Sequence, residues 1–193
     1  LESLILLKNE DNALPISSSV KKIAVIGPHA KNARHFFGGY THLSMVEAIH
    51  AAANSLAGVD AANSGSKPMV CVPGTQVQWD ETEEFDNVLR KLKPDCKNLL
   101  EELQNRLPNT EITYAYGYPI AGNDTSHFAQ ALETVKDADL VLLTLGGKNG
   151  SGSIATMGEG VDGTDINLPF CQEEFIRQAA ALGKPMVGLH FDG

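Results

Sequence analysis

Gly158-Glu159-Gly160 is the point in the chain where side-chain type and setting best suit chemistry. It opens the stretch GEGVDGTDINLP at residues 158–169, just after the Gly/Ser-rich run KNGSGSIATM and ahead of a helix started by proline. A carboxylate in a loop is most often an ordinary surface group. Three features weigh against that reading here. The loop follows an apolar strand, at the edge where open α/β sheets hold their ligands. Glycine on both sides permits close approach and movement. Asp162 and Asp165 stand near enough in sequence to influence protonation. Such a placement suits an acid/base catalyst that a bound substrate closes off from water.

Other chemistry-bearing residues fit known sites less well. GGKNGSG resembles a phosphate-binding loop, but Lys148 is followed by Asn149 where Ser or Thr is needed. GPHAKNA after the first strand lacks the glycines of a dinucleotide fingerprint. His29, His35 and His42 show no metal-ligand spacing, so no metal or organic cofactor is expected. His29 and His42 read as loop-lining or turn-capping groups, and His190 as a hydrogen-bonded core histidine. Lys148 and His29 remain candidates for lining a cleft, without assigned contacts. Trp79, Tyr114, Tyr116 and Tyr118 could stack on sugar rings. The three tyrosines alternate along one strand face, which favours packing. Cys71, Cys96 and Cys171 are too few and scattered for a disulfide framework. Cys171 falls in a first helical turn, and burial is its simplest role.

The elements that must position Glu159 follow from hydrophobic pattern. KKIAVIG, EITYAYG, DLVLLTLGG and PMVGLHF read as strands, the first suggesting a buried parallel strand and the third being the clearest buried strand in the chain. MVCV is a further short candidate. Ser44 and Glu47 have the spacing of a capping box, with Val46, Ile49, Ala53 and Leu56 as an apolar stripe behind it. Phe85, Val88, Leu89 and Leu92 mark a second helix, and Leu100, Leu103 and Leu107 a third. Phe128, Leu132 and Val135 mark a fourth. The last helix has Pro169 in its first turn, Glu173 and Glu174 at its positive end, and Gly183 at its C-cap. Residues 2–7 read as the end of a helix. This alternation predicts an α/β fold, a three-layer α/β/α sandwich around a mostly parallel sheet.

The 193 residues are 42% hydrophobic and 20% charged, which is an ordinary globular composition. The formal net charge of −9 disfavours nucleic acid and anionic membrane surfaces as partners. No apolar run reaches the roughly 20 residues of a membrane span. The acidic run DETEE reads as a solvated helix start, and NDT and NGS are glycosylation sequons. Periplasmic, secreted and cytoplasmic settings all stay open.

Taken in order, several motifs resemble glycoside hydrolase family 3. ESLILLKNEDNALPI resembles the linker that leaves that family's barrel. KKIAVIGPHA followed by GGY resembles the opening strand and loop of its second domain. DADLVLLTLGG, GEGVDGTDINLPFCQEEFI and LGKPMVGLHFDG resemble its acid-loop region, helix and next strand. The likeness fails mainly across residues 58–109, which look like an insertion that begins in the polar stretch DAANSGSKP.

The resemblance implies a division of the chain. Residues 1–16 would be the end of a helix and a linker from a (β/α)8 barrel that precedes Leu1. Residues 17–193 would be an incomplete α/β sandwich domain, truncated on its C-terminal side. It further implies a retaining, exo-acting β-glycosidase of β-glucosidase type, with a β-xylosidase or other exo-glycosidase, or a non-catalytic binding module, as alternatives. The nucleophile would be an aspartate of the barrel, and the matching acid/base position is Glu159, with Asp162 behind it. Gly163 stands where many relatives carry arginine. The partners implied are a β-linked glucoside or oligosaccharide and the barrel of the same polypeptide. Alone, the chain is expected to be inactive, with an uncovered apolar face able to drive self-association.

Overall fold

The computed structural model describes residues 4–56, 70–79, 83–159, 161, 163 and 165–191. Four strands form one sheet: β1 (Lys22–Ile26), β2 (Glu111–Ala115), β3 (Leu140–Gly146) and β4 (Met186–Phe191). Their order is β2-β1-β3-β4, and every pairing is parallel. The helices are α1 (His42–Leu56), α2 (Glu83–Leu92), α3 (Leu99–Arg106), α4 (Phe128–Lys136) and α5 (Phe170–Ala180).

The apolar runs of β1 and β3 are continuous because both faces of the sheet are covered. Ala24, Ile26, Val141 and Leu143 point to one face and pack under α4 and α5, against Phe128, Ala131, Val135, Phe175 and Ala179. Ile23, Val25, Leu140 and Leu142 point to the other. There Leu99, Leu100 and Leu103 of α3 cover them together with Leu14 and Ile16 of the N-terminal segment. The expected three layers are therefore present, and the fold is α/β. Phe175 is fully buried between the rings of Tyr118 and Phe128, with centroids at 5.1 and 5.2 Å.

Several local expectations are corrected. Residues 4–7 are irregular and exposed rather than helical, since an isolated turn without a packing partner is not stable. MVCV contributes only an isolated antiparallel bridge between Cys71 and Gln78. β2 stops at Ala115, and Gly117 turns the chain with φ 73°, so the three tyrosines do not share a strand face. Tyr118 instead drops into the core, where its hydroxyl donates to Thr144 O at 3.2 Å. His190 is exposed, because β4 is an edge strand among the described residues.

Helix α1 departs furthest from its pattern. It begins at His42, with Thr41 Oγ1 accepting from Ser44 N at 3.4 Å, so Ser44 is not the cap. Ser44 and Glu47 are fully buried with Leu43, while Met45 and Ile49 face outward. A capping box of the expected kind occurs at α3, where Asn98 and Glu101 satisfy each other's backbone N–H groups. The polar stretch 60–68 and the residues 80–82 of the acidic run lie outside the described residues.

Replacing Phe175 by alanine should cost about 3–5 kcal/mol, read as a lower urea midpoint at unchanged slope. The same change at the exposed Phe170, on the same helix, should alter stability by less than about 0.5 kcal/mol.

Candidate active site

The C-terminal ends of β1 and β3 emit the two loops that build the site, residues 27–41 and 147–169. Their departure points are pinned. Gly27 has φ 109°, and a Cβ there would lie 2.4 Å from Thr144 O, so only glycine lets β1 leave beside β3. At the end of β3, Gln172 of α5 clamps one residue. Its Oε1 accepts from Gly146 N at 2.8 Å, and its Nε2 donates to Gly146 O at 2.9 Å. The same amide reaches Pro119 O at 3.3 Å. Helix, sheet and the start of the loop after β3 are thus tied at one point.

The loop after β3 is folded back on itself up to Glu159. Lys148 N donates to Thr156 Oγ1 at 2.9 Å, Thr156 N to Lys148 O at 3.0 Å, and Gly150 N to Met157 O at 3.0 Å. Ile154 anchors the outer bend, a 3-10 turn over Gly152–Ile154, by packing on Phe85 and Ala48. Gly158 has φ 124°, and a Cβ there would sit 2.1 Å from Gly150 O. Its glycine serves the close approach expected from sequence. Gly160 lies outside the described residues.

Under the loop lies a buried ion cluster. Lys148 Nζ and Glu47 Oε2 form a close, fully buried pair, and Arg34 Nη1 stands 3.6 Å from the same oxygen. Arg34 also lies over the Phe85 ring, 4.9 Å from its centroid. A carboxylate removed from water requires partners of this kind, and here one anion serves two cations from two loops. Burial is the main cause that brings the Lys148 ammonium down to about 8, opposed by the Glu47 carboxylate.

His29 and His35 complete the floor, both buried. His29 Nε2 donates to Gly146 O at 3.3 Å, which makes its Nδ1 an acceptor. His35 Nδ1 then donates to it at 2.9 Å, leaving His35 Nε2 as a buried lone pair with no hydrogen-bond partner. Both rings are therefore neutral by network. Burial holds His29 at about 4 and His35 well below its usual range, with the Arg34 charge acting the same way on each. His29 stacks on Phe191 at 4.4 Å, so it is a core residue and not the loop-lining group expected.

Glu159 is exposed above this floor, and Tyr40 from the loop after β1 donates its hydroxyl to Glu159 Oε2. Hydrogen bonding to that carboxylate raises the Tyr40 phenol above its ordinary value. Asp162 lies outside the described residues, and Gly163 is exposed. Asp165 uses Oδ1 within its own turn, accepting from Asn167 N at 3.0 Å and Nδ2 at 2.7 Å. Trp79 and Tyr116 pack with His127 in an aromatic cluster after β2. Cys171 is buried and its thiol is pushed up to about 12 by burial, consistent with a structural role. His42 is exposed at the start of α1. Lys148 and His29 both lie inside the domain rather than on a cleft wall. Among the described residues, no group of three His, Cys, Asp or Glu side chains is arranged to hold a metal ion.

Sequence reasoning missed Tyr40 and Glu47. The GGY motif marked a loop but not a partner for Glu159. The S-x-x-E spacing of Ser44 and Glu47 suggested a cap, when Glu47 is the buried counter-ion of Lys148, 101 residues away.

A parallel α/β sandwich with an exposed carboxylate beyond the C-terminal ends of its strands is the setting in which the comparisons with known proteins fall. Residues 4–193 match the glycosyl hydrolase family 3 C-terminal domain, and the chain belongs to that family. It is 26% identical over its whole length to a β-xylosidase of Formosa agariphila, covering 20% of that protein. It is equally 26% identical to a probable exo-1,4-β-xylosidase of Aspergillus terreus, covering 17%. A probable β-glucosidase I of Emericella nidulans is 57% identical over 42 residues, which is 22% of this chain and 5% of that protein. The chain thus spans about a fifth of the length of the curated relatives that it matches throughout.

Two solved structures share the fold. A family 3 exo-β-xylosidase bound to a xylobiose aziridine probe superposes with a TM-score of 0.53 at 24% identity, over 93% of this chain and 16% of the other. A β-glucosidase involved in saponin metabolism from intestinal bacteria gives 0.56 at 21%, over 94% and 22%.

The neutral histidines set an acid limit on stability. Between pH 6.5 and about 4 the unfolded chain binds protons that buried His29 and His35 refuse, so stability falls as pH falls. For His29 alone the loss should reach ~3 kcal/mol by pH 4. The urea midpoint should already decline between pH 6.5 and 5, and both imidazole resonances should remain those of neutral rings at pH 5.5. Protonated ring signals there would contradict the network.

Proposed function

We propose that the chain is the second domain of a retaining, exo-acting β-glycosidase and supplies Glu159 as its general acid/base. The active site would be shared with a (β/α)8 barrel of the same polypeptide, which carries an aspartate nucleophile and most of the sugar-binding groups. The observation that carries the proposal is the exposed Glu159 on a loop whose root is clamped by Gln172 and by the Glu47–Lys148 pair. A carboxylate that must reach a substrate on another domain needs an exposed tip and a fixed base.

The chemistry follows from two carboxyl groups held about 5–5.5 Å apart. As the barrel carboxylate attacks the anomeric carbon, Glu159 gives its proton to the departing glycosidic oxygen. The ionised Glu159 then takes a proton from water, which attacks the glycosyl-enzyme and releases the sugar with its configuration retained. Proton transfer of this kind contributes roughly 10²–10⁴-fold to rate. Exposed Phe36, Tyr40, Met45 and Ile49 on the loop after β1 and on α1 support a covering domain on this side.

The order of motifs along the chain favours a β-glucoside as substrate; a β-xyloside is the second reading, and the names of the relatives matched over the whole chain favour it. A panel of aryl β-glucosides and β-xylosides given to the full-length protein separates the two. The domain alone should turn over neither.

The acid/base role is tested by Glu159→Ala in the full-length protein, with an aryl β-glycoside carrying an activated leaving group. The variant should stall after forming the glycosyl-enzyme, and azide should restore turnover with a β-glycosyl azide as product. Near-normal activity with no response to azide would make Glu159 an ordinary loop carboxylate and move the role to Asp162 or another acidic residue. Loss of binding alone, with the chemistry intact, would favour a non-catalytic binding module.

A further inference from the structure

The geometry points to Tyr40 as the positioning residue of Glu159: its phenol, delivered by the loop after β1, fixes the orientation of the carboxylate and thereby acts on proton transfer without touching the reacting sugar. This rests on the acid/base reading of Glu159.

The contact links residues 119 positions apart and joins the two loops that leave adjacent strands. It is not a by-product of core packing, since Tyr40 is 76% exposed and Glu159 is exposed as well. An exposed pair of this kind adds little to stability, because ordering two side chains offsets most of what the hydrogen bond contributes. The backbone beneath it is nevertheless held closely. A Cβ on Gly38 would lie 3.0 Å from Asn149 O, so the chain just before Tyr40 rests directly on the acid loop. Gly39 turns with φ 56°, and Phe36 stacks on Phe191 at 5.7 Å. Below them Arg34 from one loop and Lys148 from the other share Glu47. The fold thus fixes the two loops as a unit and places a hydrogen-bond donor beside an otherwise free carboxylate.

That donor has a directional consequence. With Oε2 accepting from the Tyr40 hydroxyl, the proton of the acid form resides on Oε1, which is the oxygen left to face a glycosidic bond. In the transfer step the Oε1–H bond breaks, the leaving oxygen gains that proton as the C–O bond cleaves, and Tyr40 keeps its own hydrogen. The phenol remains a donor across the working range, because the neighbouring carboxylate raises it above its ordinary value.

The test is a double-mutant cycle in the full-length protein, with Tyr40→Phe, Glu159→Ala and the two combined. Each is assayed on an unsubstituted phenyl glycoside, which needs acid assistance, and on a dinitrophenyl glycoside, which does not. Tyr40→Phe should lower kcat about tenfold on the phenyl substrate. It should leave KM within about twofold, leave the burst rate of dinitrophenol release, which reports glycosylation, nearly unchanged, and add no further loss to Glu159→Ala. Equal losses on both substrates, additive losses in the combined variant, or wild-type behaviour of Tyr40→Phe would each overturn the assignment. Unchanged circular dichroism and thermal midpoint of Tyr40→Phe exclude misfolding as the source of a loss. Azide rescue of the Glu159→Ala single variant separates the two readings. If rescue occurs but the cycle is additive, only the role of Tyr40 falls; if rescue fails, both fall.

Discussion

One buried carboxylate sets the arrangement of the loops at the C-terminal edge of the sheet. Glu47 has no access to water, and its charge is held by Lys148 and Arg34. Removing both cations would leave an uncompensated charge inside the domain, which is among the costlier defects a fold can carry. Because Glu47 belongs to α1, Arg34 to the loop after β1 and Lys148 to the loop after β3, three separate segments are obliged to meet at one oxygen atom. The positions of Tyr40 and Glu159 at the rim are consequences of that meeting.

The same requirement accounts for the inverted character of α1. An amphipathic helix normally turns its apolar stripe inward. Here the inward face carries Ser44 and Glu47 beside Leu43, and Ile49 is left 66% exposed. The polar interior is lined by groups whose hydrogen bonds are incompletely met among the described residues, including Asn32 Nδ2, Ser44 Oγ and Glu47 Oε1. Polar interiors of this type favour one register of neighbouring segments over others, at some cost in stability. A site that depends on the relative placement of two loops has a use for that trade.

What could be read from the sequence followed from how each feature is encoded. β1 and β3 are legible because burial on both faces demands continuous apolar runs, and no other element of that length does. The helices α2 to α4 are legible from their spacing, α5 from the residues at its two ends, and the loop position of Glu159 from its place after β3. The capping box was assigned to the wrong helix because S-x-x-E is a local pattern, whereas the partner of Glu47 lies far along the chain. Tyr40 was passed over for the same reason, since a tyrosine after two glycines carries no mark of what it will touch. His190 was misplaced because an apolar strand pattern does not say whether the strand lies at an edge. Long-range electrostatic pairs leave no periodic trace, and these were the parts of the site that required a structure.

The aromatic cluster after β2 has an optical consequence. Trp79 is the one tryptophan of the chain, half-buried against Tyr116 and His127 at ring separations of 5.5 and 6.2 Å. All indole emission from the isolated domain therefore originates in the segment 70–79 and not in the sheet. The colour and intensity of that single emitter report on one flank of the domain, and the far-ultraviolet dichroism reports on the sheet and helices, which gives two independent clocks for how the parts come apart.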